Sequence, residues 1–163
     1  MTAATAERTR ALGAALGAAL RPPPPGGIVI GLHGDLGAGK TVFVQGLARG
    51  LGVPPEEAVV SPTFTVARDY RAPEVVLHHV DAYRLRGADE LEAAGFEEMW
   101  GDGRVTCVEW AERVEDSLPV DRLDVTLTPE GAAAGEDAPR CIVSRAGGPR
   151  ARAVLARWAE PAR

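Results

Sequence analysis

The residues Gly34-Asp35-Leu36-Gly37-Ala38-Gly39-Lys40-Thr41 match the pattern G-x-x-x-x-G-K-T, in which every fixed position has a chemical task. The glycines let backbone N–H groups wrap a phosphate with no Cβ in the way, so Asp35, Leu36, Gly37, Ala38 and Gly39 form a cradle. Lys40 reaches the β- and γ-phosphates of a nucleotide, and the Thr41 hydroxyl is a magnesium ligand. A helix starting at this point adds the positive end of its dipole to the anion site. Lys40 is also the only lysine among 18 basic residues, the others all being arginine. A glycine-rich turn with an idle lysine is the rival reading, but such a match arises by chance on the order of once per thousand sequences of this length.

A phosphate loop of this kind needs a carboxylate near its metal, usually at the C-terminal end of an apolar strand. Two are available: Asp81 closes the run Val75 to Val80, and Glu109 closes Val105 to Val108. Spacing does not choose between them, and with Lys40 they make up the candidate catalytic set. Thr63 and Thr65 lie in the polar loop Ser61-Pro62-Thr63-Phe64-Thr65, where a hydroxyl could sense a γ-phosphate as a switch residue, or could simply start a strand. Trp110, beside Glu109, belongs either to the core or to the site. His78 and His79 fall on opposite faces of one strand, so one faces the core and the other the site. The chain has no asparagine and its one lysine is already placed, which excludes the Asn-Lys-x-Asp mode of guanine recognition and leaves ATP as the default nucleotide.

The elements that must position these residues follow from periodicity. Thr9 to Arg21 is an amphipathic helix with Leu12, Leu16 and Leu20 on one face, closed by Pro22 to Pro25. Ile28 to His33 is a buried strand leading into the glycine loop, and a helix then runs to Leu51, ended by Gly50, Gly52 and Pro54. Strands are expected at Val66 to Tyr70, Val75 to Asp81, Val105 to Trp110, Leu123 to Leu127 and Cys141 to Arg145. Helices are expected at Asp89 to Trp100 and Arg150 to Trp158, with a flexible loop over Gly131 to Ala138. The expected fold is a single α/β domain spanning 1–163, a mainly parallel sheet with helices on its faces and an antiparallel addition near Thr65 to Asp81.

Composition agrees with one domain: 163 residues, 45 % hydrophobic and 25 % charged, enough for a sizeable core. The net charge of −5 argues against a general electrostatic grip on nucleic acid. Two cysteines and three histidines are too few for a zinc site of paired cysteines. No stretch approaches the ~20 apolar residues that span a bilayer, so no membrane role and a cytoplasmic location are expected.

The phosphate loop, the Ser61 to Thr65 segment, His79-Val80-Asp81-Ala82-Tyr83-Arg84-Leu85, Asp89-Glu90-Leu91-Glu92 and Val108-Glu109-Trp110 with Glu112-Arg113 stand in the same order and at similar spacing as in the bacterial TsaE family, also called YjeE. From about Val29 to Leu127 the chain resembles that family. The resemblance implies a small ATPase that assists the threonylcarbamoylation of adenosine 37 in tRNAs reading codons that begin with A. Its partners would be TsaD and TsaB, which make the modification, with tRNA engaged only indirectly. It implies that Thr41 and Glu109 hold Mg2+ and that Asp81 has a separate essential role. Val80 departs from the common His-Phe-Asp order, and the Ala/Arg-rich part 129–163 aligns poorly. Hydrolysis is expected to be weak alone and stimulated by the partners, because only Arg84 and Arg86 offer themselves as a transition-state charge. A kinase using those two arginines as a lid, or a binding module reset by hydrolysis, are the rival classes.

Overall fold

In the computed structural model, which describes residues 1–130 and 138–160, the elements in chain order are β1 (Thr2–Ala3), α1 (Ala6–Ala19), β2 (Ile28–His33), α2 (Lys40–Leu51), β3 (Ala67–Ala72), β4 (Val75–Asp81), α3 (Ala88–Ala93), β5 (Arg104–Glu109), β6 (Leu123–Pro129), β7 (Arg140–Ala146) and α4 (Pro149–Ala159). The strands form one sheet in the order β1-β7-β6-β2-β5-β4-β3. The four central strands β6, β2, β5 and β4 are mutually parallel, while β3 and β7 pair antiparallel on either side of them and β1 pairs antiparallel with β7. The expected mainly parallel sheet is therefore present, with the antiparallel β3–β4 addition where it was placed and a second one, β6–β7, on the other side.

Central parallel strands are covered on both faces, which is why β2 and β5 read as continuous apolar runs. Alternation sends Ile28, Ile30, Leu32, Leu77, Val105, Cys107, Leu123 and Val125 into a core shared with α1, α2 and α4. Val29, Val80 and Val108 face the other way, into a smaller core filled by Leu85, Leu91, Phe96, Val114 and Leu118. The phosphate-loop helix thus lies on the first face, and the acidic segment after β4 covers the second.

Helix α2 is held by an unusually close approach of α1. A Cβ built on Gly13 or Gly17 of α1 would meet the carbonyl oxygens of Phe43 and Leu47 at 2.2 and 2.3 Å, and one on Gly46 or Gly50 of α2 would meet those of Arg10 and Ala14 at 2.0 and 2.1 Å. Each helix presents two glycines four residues apart to the backbone of the other, a contact that any side chain would wedge open. Gly50 is accordingly interior to α2 and packs it, whereas the helix stops at Gly52, which takes φ +89°.

Several boundaries moved for identifiable reasons. Helix α1 starts at Ala6, three residues earlier than its apolar period suggests, because the Thr5 hydroxyl caps it by accepting from the Arg8 amide at 3.1 Å. The helix expected over Asp89 to Trp100 breaks at Gly95, φ +78°, into α3 and a single tight turn at Phe96–Met99, so that Leu91 and Phe96 both reach the second core. Strand β3 begins after Val66, which sits at φ +66°, and β5 ends before Trp110, at φ +60°. Strand β1 has two residues and no periodic signal; pairing with Cys141 and Arg140 defines it. Residues 131–137 of the loop expected over Gly131 to Ala138 lie outside the described residues.

The glycine contact is tested by Gly50→Ala, expected to lower the unfolding free energy by about 1–3 kcal/mol through overpacking, against Gly87→Ala, where the added Cβ meets nothing within 4 Å. Equal melting temperatures for the two variants would mean that the helices are not in backbone contact.

Candidate functional site

Strand β2 delivers the chain to the phosphate loop at its C-terminal end, and the loop turns back into α2 through two strained glycines. Gly34 takes φ +135° with its Cβ position 2.3 Å from the Leu127 carbonyl, and Gly39 takes φ +97° as the residue before α2. No side chain caps the leading amides of α2 and no acidic residue stands in its first turn, the arrangement that suits an anion site. Leu36 is 80 % exposed at the loop tip and Ala38 is buried beneath it.

Lys40 is only 4 % exposed. Its ammonium donates to the carbonyls of Gly34 and Asp35 at 2.5 and 2.9 Å and sits 3.6 Å from the centre of the Trp110 ring. Burial lowers its pKa from the ordinary lysine value, and the negative charges of Glu109, Glu112, Asp81 and Asp35 work against that shift. Two carbonyl dipoles and a ring face replace the water that the ammonium gives up.

Strands β4 and β5 run parallel in a register that sets Asp81 beside Glu109. Alternation along Val75, Leu77, His79 and Asp81, and along Val105, Cys107 and Glu109, turns both carboxylates toward α2. Their partners differ. The Thr41 hydroxyl lies 2.9 and 3.1 Å from the two Glu109 oxygens, and His79 Nε2 lies 2.8 Å from Glu109 Oε1. Asp81 Oδ2 instead accepts from the hydroxyls of Ser61 and Thr63, and Oδ1 accepts from the Tyr83 amide at 2.9 Å. A hydroxyl beside a carboxylate is a hard-oxygen pair that suits Mg2+, an ion that takes few protein ligands and completes its shell with water and phosphate oxygens. Among the described residues there is no cluster of three or more His, Cys, Asp or Glu side chains that would cage a metal by itself.

The left-handed backbone at Trp110 swings its ring over Lys40, where Tyr83 meets it at 4.9 Å and the Arg113 guanidinium lies 5.1 Å from Tyr83. Together with Leu36, Thr41, Thr63 and Asp81 these rings line a cleft of about 360 Å³. Thr65 is exposed and outside that lining. Arg84 stacks over Phe64 at 4.5 Å and Arg86 faces Glu90 at 4.0 Å, so neither points into the cleft. Sequence reading missed Arg140. Its guanidinium is almost fully buried in the cleft wall, donating to the carbonyls of Ala38 and Ala138 at 2.8 Å each, and its Nε lies 2.9 Å from where a Gly39 Cβ would be. The only signal was its place at the inward phase of β7, two residues before Ile142.

The model of the family described as "Threonylcarbamoyl adenosine biosynthesis protein TsaE" matches residues 3–136. The tRNA threonylcarbamoyladenosine biosynthesis protein TsaE of Bacillus subtilis is 42 % identical over 125 residues, 77 % of this chain and 74 % of that protein. The protein of the same name from a Nostoc species is 39 % identical over 145 residues, 85 % of each chain. The crystal structure of Bacillus subtilis YdiB superposes with a TM-score of 0.70 at 34 % identity, covering 97 % of this chain and 91 % of that one.

One ion-pair network braces the turn after Trp110 against the strand that feeds the phosphate loop. His33 Nε2 lies 3.0 Å from Asp124 and His33 Nδ1 lies 3.3 Å from Glu112, while Arg122 bonds Asp124 at 2.8 Å. The hydrogen bond to Asp124 raises the His33 pKa above its ordinary 6.5; burial opposes the shift, and the charges of Asp124, Glu112 and Glu115 add to it. A raised folded-state pKa contributes stability that is complete below the unfolded value and disappears as pH rises through the folded one. The melting-temperature loss of His33→Gln is therefore expected to be larger at pH 6 than at pH 8.5. A loss independent of pH would remove the charged pair from the account.

Proposed function

The chain belongs to the TsaE family, whose place is tRNA threonylcarbamoyladenosine biosynthesis, and on that premise we propose that it binds and slowly hydrolyses Mg-ATP as the accessory ATPase of the TsaD–TsaB complex. The observation that carries this reading is the Thr41 hydroxyl set against the Glu109 carboxylate at the mouth of the phosphate loop.

The amides from Asp35 to Thr41 surround the β-phosphate, and Lys40 exchanges the Gly34 and Asp35 carbonyls for the β- and γ-phosphate oxygens. Thr41 and Glu109 would hold Mg2+, which would supply positive charge against that of the phosphates. Asp81 has a different task. Through Ser61 and Thr63 it ties the loop after α2 to the end of β4, which suits it to place the attacking water or to report the state of the γ-phosphate to that loop. Slow turnover follows from the arginines. Arg84 and Arg86 are engaged outside the cleft, Arg113 lies over the Tyr83 and Trp110 rings, and the Arg140 guanidinium serves the carbonyls of Ala38 and Ala138. Among the described residues, charge developing on the transferred phosphoryl group thus lacks a dedicated clamp until a partner rearranges the Ser61 to Thr65 loop or supplies one.

Lys40→Ala is expected to lose most ATP affinity in calorimetric titration while keeping its fold. Glu109→Ala is expected to weaken only the magnesium-dependent part of binding, and Asp81→Ala mainly to lower turnover. Phosphate release should be slow for the isolated protein and rise strongly on addition of TsaD with TsaB, and modified adenosine per tRNA should stop accumulating when Lys40 or Glu109 is replaced. Fast hydrolysis indifferent to those partners would sink the proposal.

A further inference from the structure

Among the groups that touch the site, His79 is the one whose chemistry the reading above leaves unused. It lies at mid-sheet on β4, fully buried between Cys107 of β5 and Arg68 of β3 in the strand register, with the Tyr70 ring 6.5 Å away. Its Nε2 is 2.8 Å from Glu109 Oε1, and its Nδ1 is buried without a hydrogen-bond partner among the described residues. An ionised carboxylate only accepts, so the hydrogen in that contact belongs to Nε2. A polar nitrogen left unsatisfied in a core is destabilising, a cost an apolar side chain would avoid. The bond to Glu109 is the only polar contact that this imidazole makes among the described residues, so it is where any compensating role must lie.

The geometry points to His79 as a positioning residue for Glu109, fixing the carboxylate toward Thr41 and the metal position. Glu109 is held by two donors from different elements, the Thr41 hydroxyl on α2 and the His79 ring on β4. A hydroxyl that ligates a cation does so through an oxygen lone pair and keeps its O–H, so Thr41 could serve an ion and still donate to Glu109. The ring donor adds a second hold whose direction is set by the strand and by burial, the arrangement by which donors behind a ligand tune metal affinity. His78, the neighbouring histidine, serves a different partner, with Nδ1 2.7 Å from Asp69 on the edge strand.

This inference rests on the assignment of Mg2+ to Thr41 and Glu109, and the experiment separates the two. ATP binding to the full chain is titrated with magnesium, and in EDTA, for the wild type, His79→Leu, His79→Gln and Glu109→Gln, each checked for folding by circular dichroism. His79→Leu is expected to raise the half-saturating magnesium concentration about ten-fold and to leave affinity in EDTA unchanged, and His79→Gln, which keeps an N–H donor, should recover most of the loss. If Glu109→Gln abolishes the magnesium dependence but folded His79→Leu behaves as wild type, the positioning role is overturned and the metal assignment stands. If Glu109→Gln leaves the dependence intact, the metal assignment fails and this inference fails with it. Should His79→Leu not fold, the ring-nitrogen resonances of His79 in the wild type decide: a protonated Nε2 that shifts in Glu109→Gln supports the role, and an unprotonated Nε2 overturns it.

Discussion

A single buried ammonium sets the terms for the rest of the site. Lys40 forms no ion pair among the described residues, so its charge must be held by dipoles and a ring face. The carbonyls of Gly34 and Asp35 can reach it only if the loop folds back over its own side chain, which in turn requires the positive φ at Gly34 and Gly39. The Trp110 ring can reach it only if the chain leaves β5 through a left-handed residue, an arrangement that is costly for a non-glycine.

What keeps Thr41 aligned with Glu109 is distant from the chemistry. Thr41 rides on α2, and α2 is seated by backbone contact with α1 through two glycines on each helix. Glu109 and Asp81 ride on parallel strands whose register is fixed by burial on both faces, since a slip of one residue would turn both carboxylates away from α2. The site is the meeting of two rigid bodies, the helix pair and the central strands. The Ser61 to Thr65 segment is joined to them mainly by the bonds of Ser61 and Thr63 to Asp81, which makes it the part best placed to move when its partners change.

The two faces of the sheet are used unequally. Three helices cover the face that carries the phosphate loop, and the opposite face is closed by α3 and short turns whose outer surface is acidic at Asp89, Glu92 and Glu97. The His33, Asp124, Arg122 and Glu112 network runs from β2 and β6 to the turn after Trp110 and ties that turn to the sheet next to the phosphate loop.

The phosphate loop, its flanking strand and helix, and the two carboxylates at strand ends were legible in the sequence because each depends on neighbours a few residues away: glycine for positive φ, alternation for a strand, a helical period after Lys40. The α/β class followed from the same local signals, as did most element boundaries to within a few residues. The roles of Asp81 and Glu109 were not legible, because they differ only in what lies across the sheet, Thr41 and His79 for one, Ser61 and Thr63 for the other. Nor were Arg140, two-residue β1 or the glycine contact between α1 and α2, since each is defined by a partner more than 25 residues away that its local pattern does not name. Local sequence decides where the backbone can turn and which side chains face inward; only the packed sheet decides which of those inward groups meet.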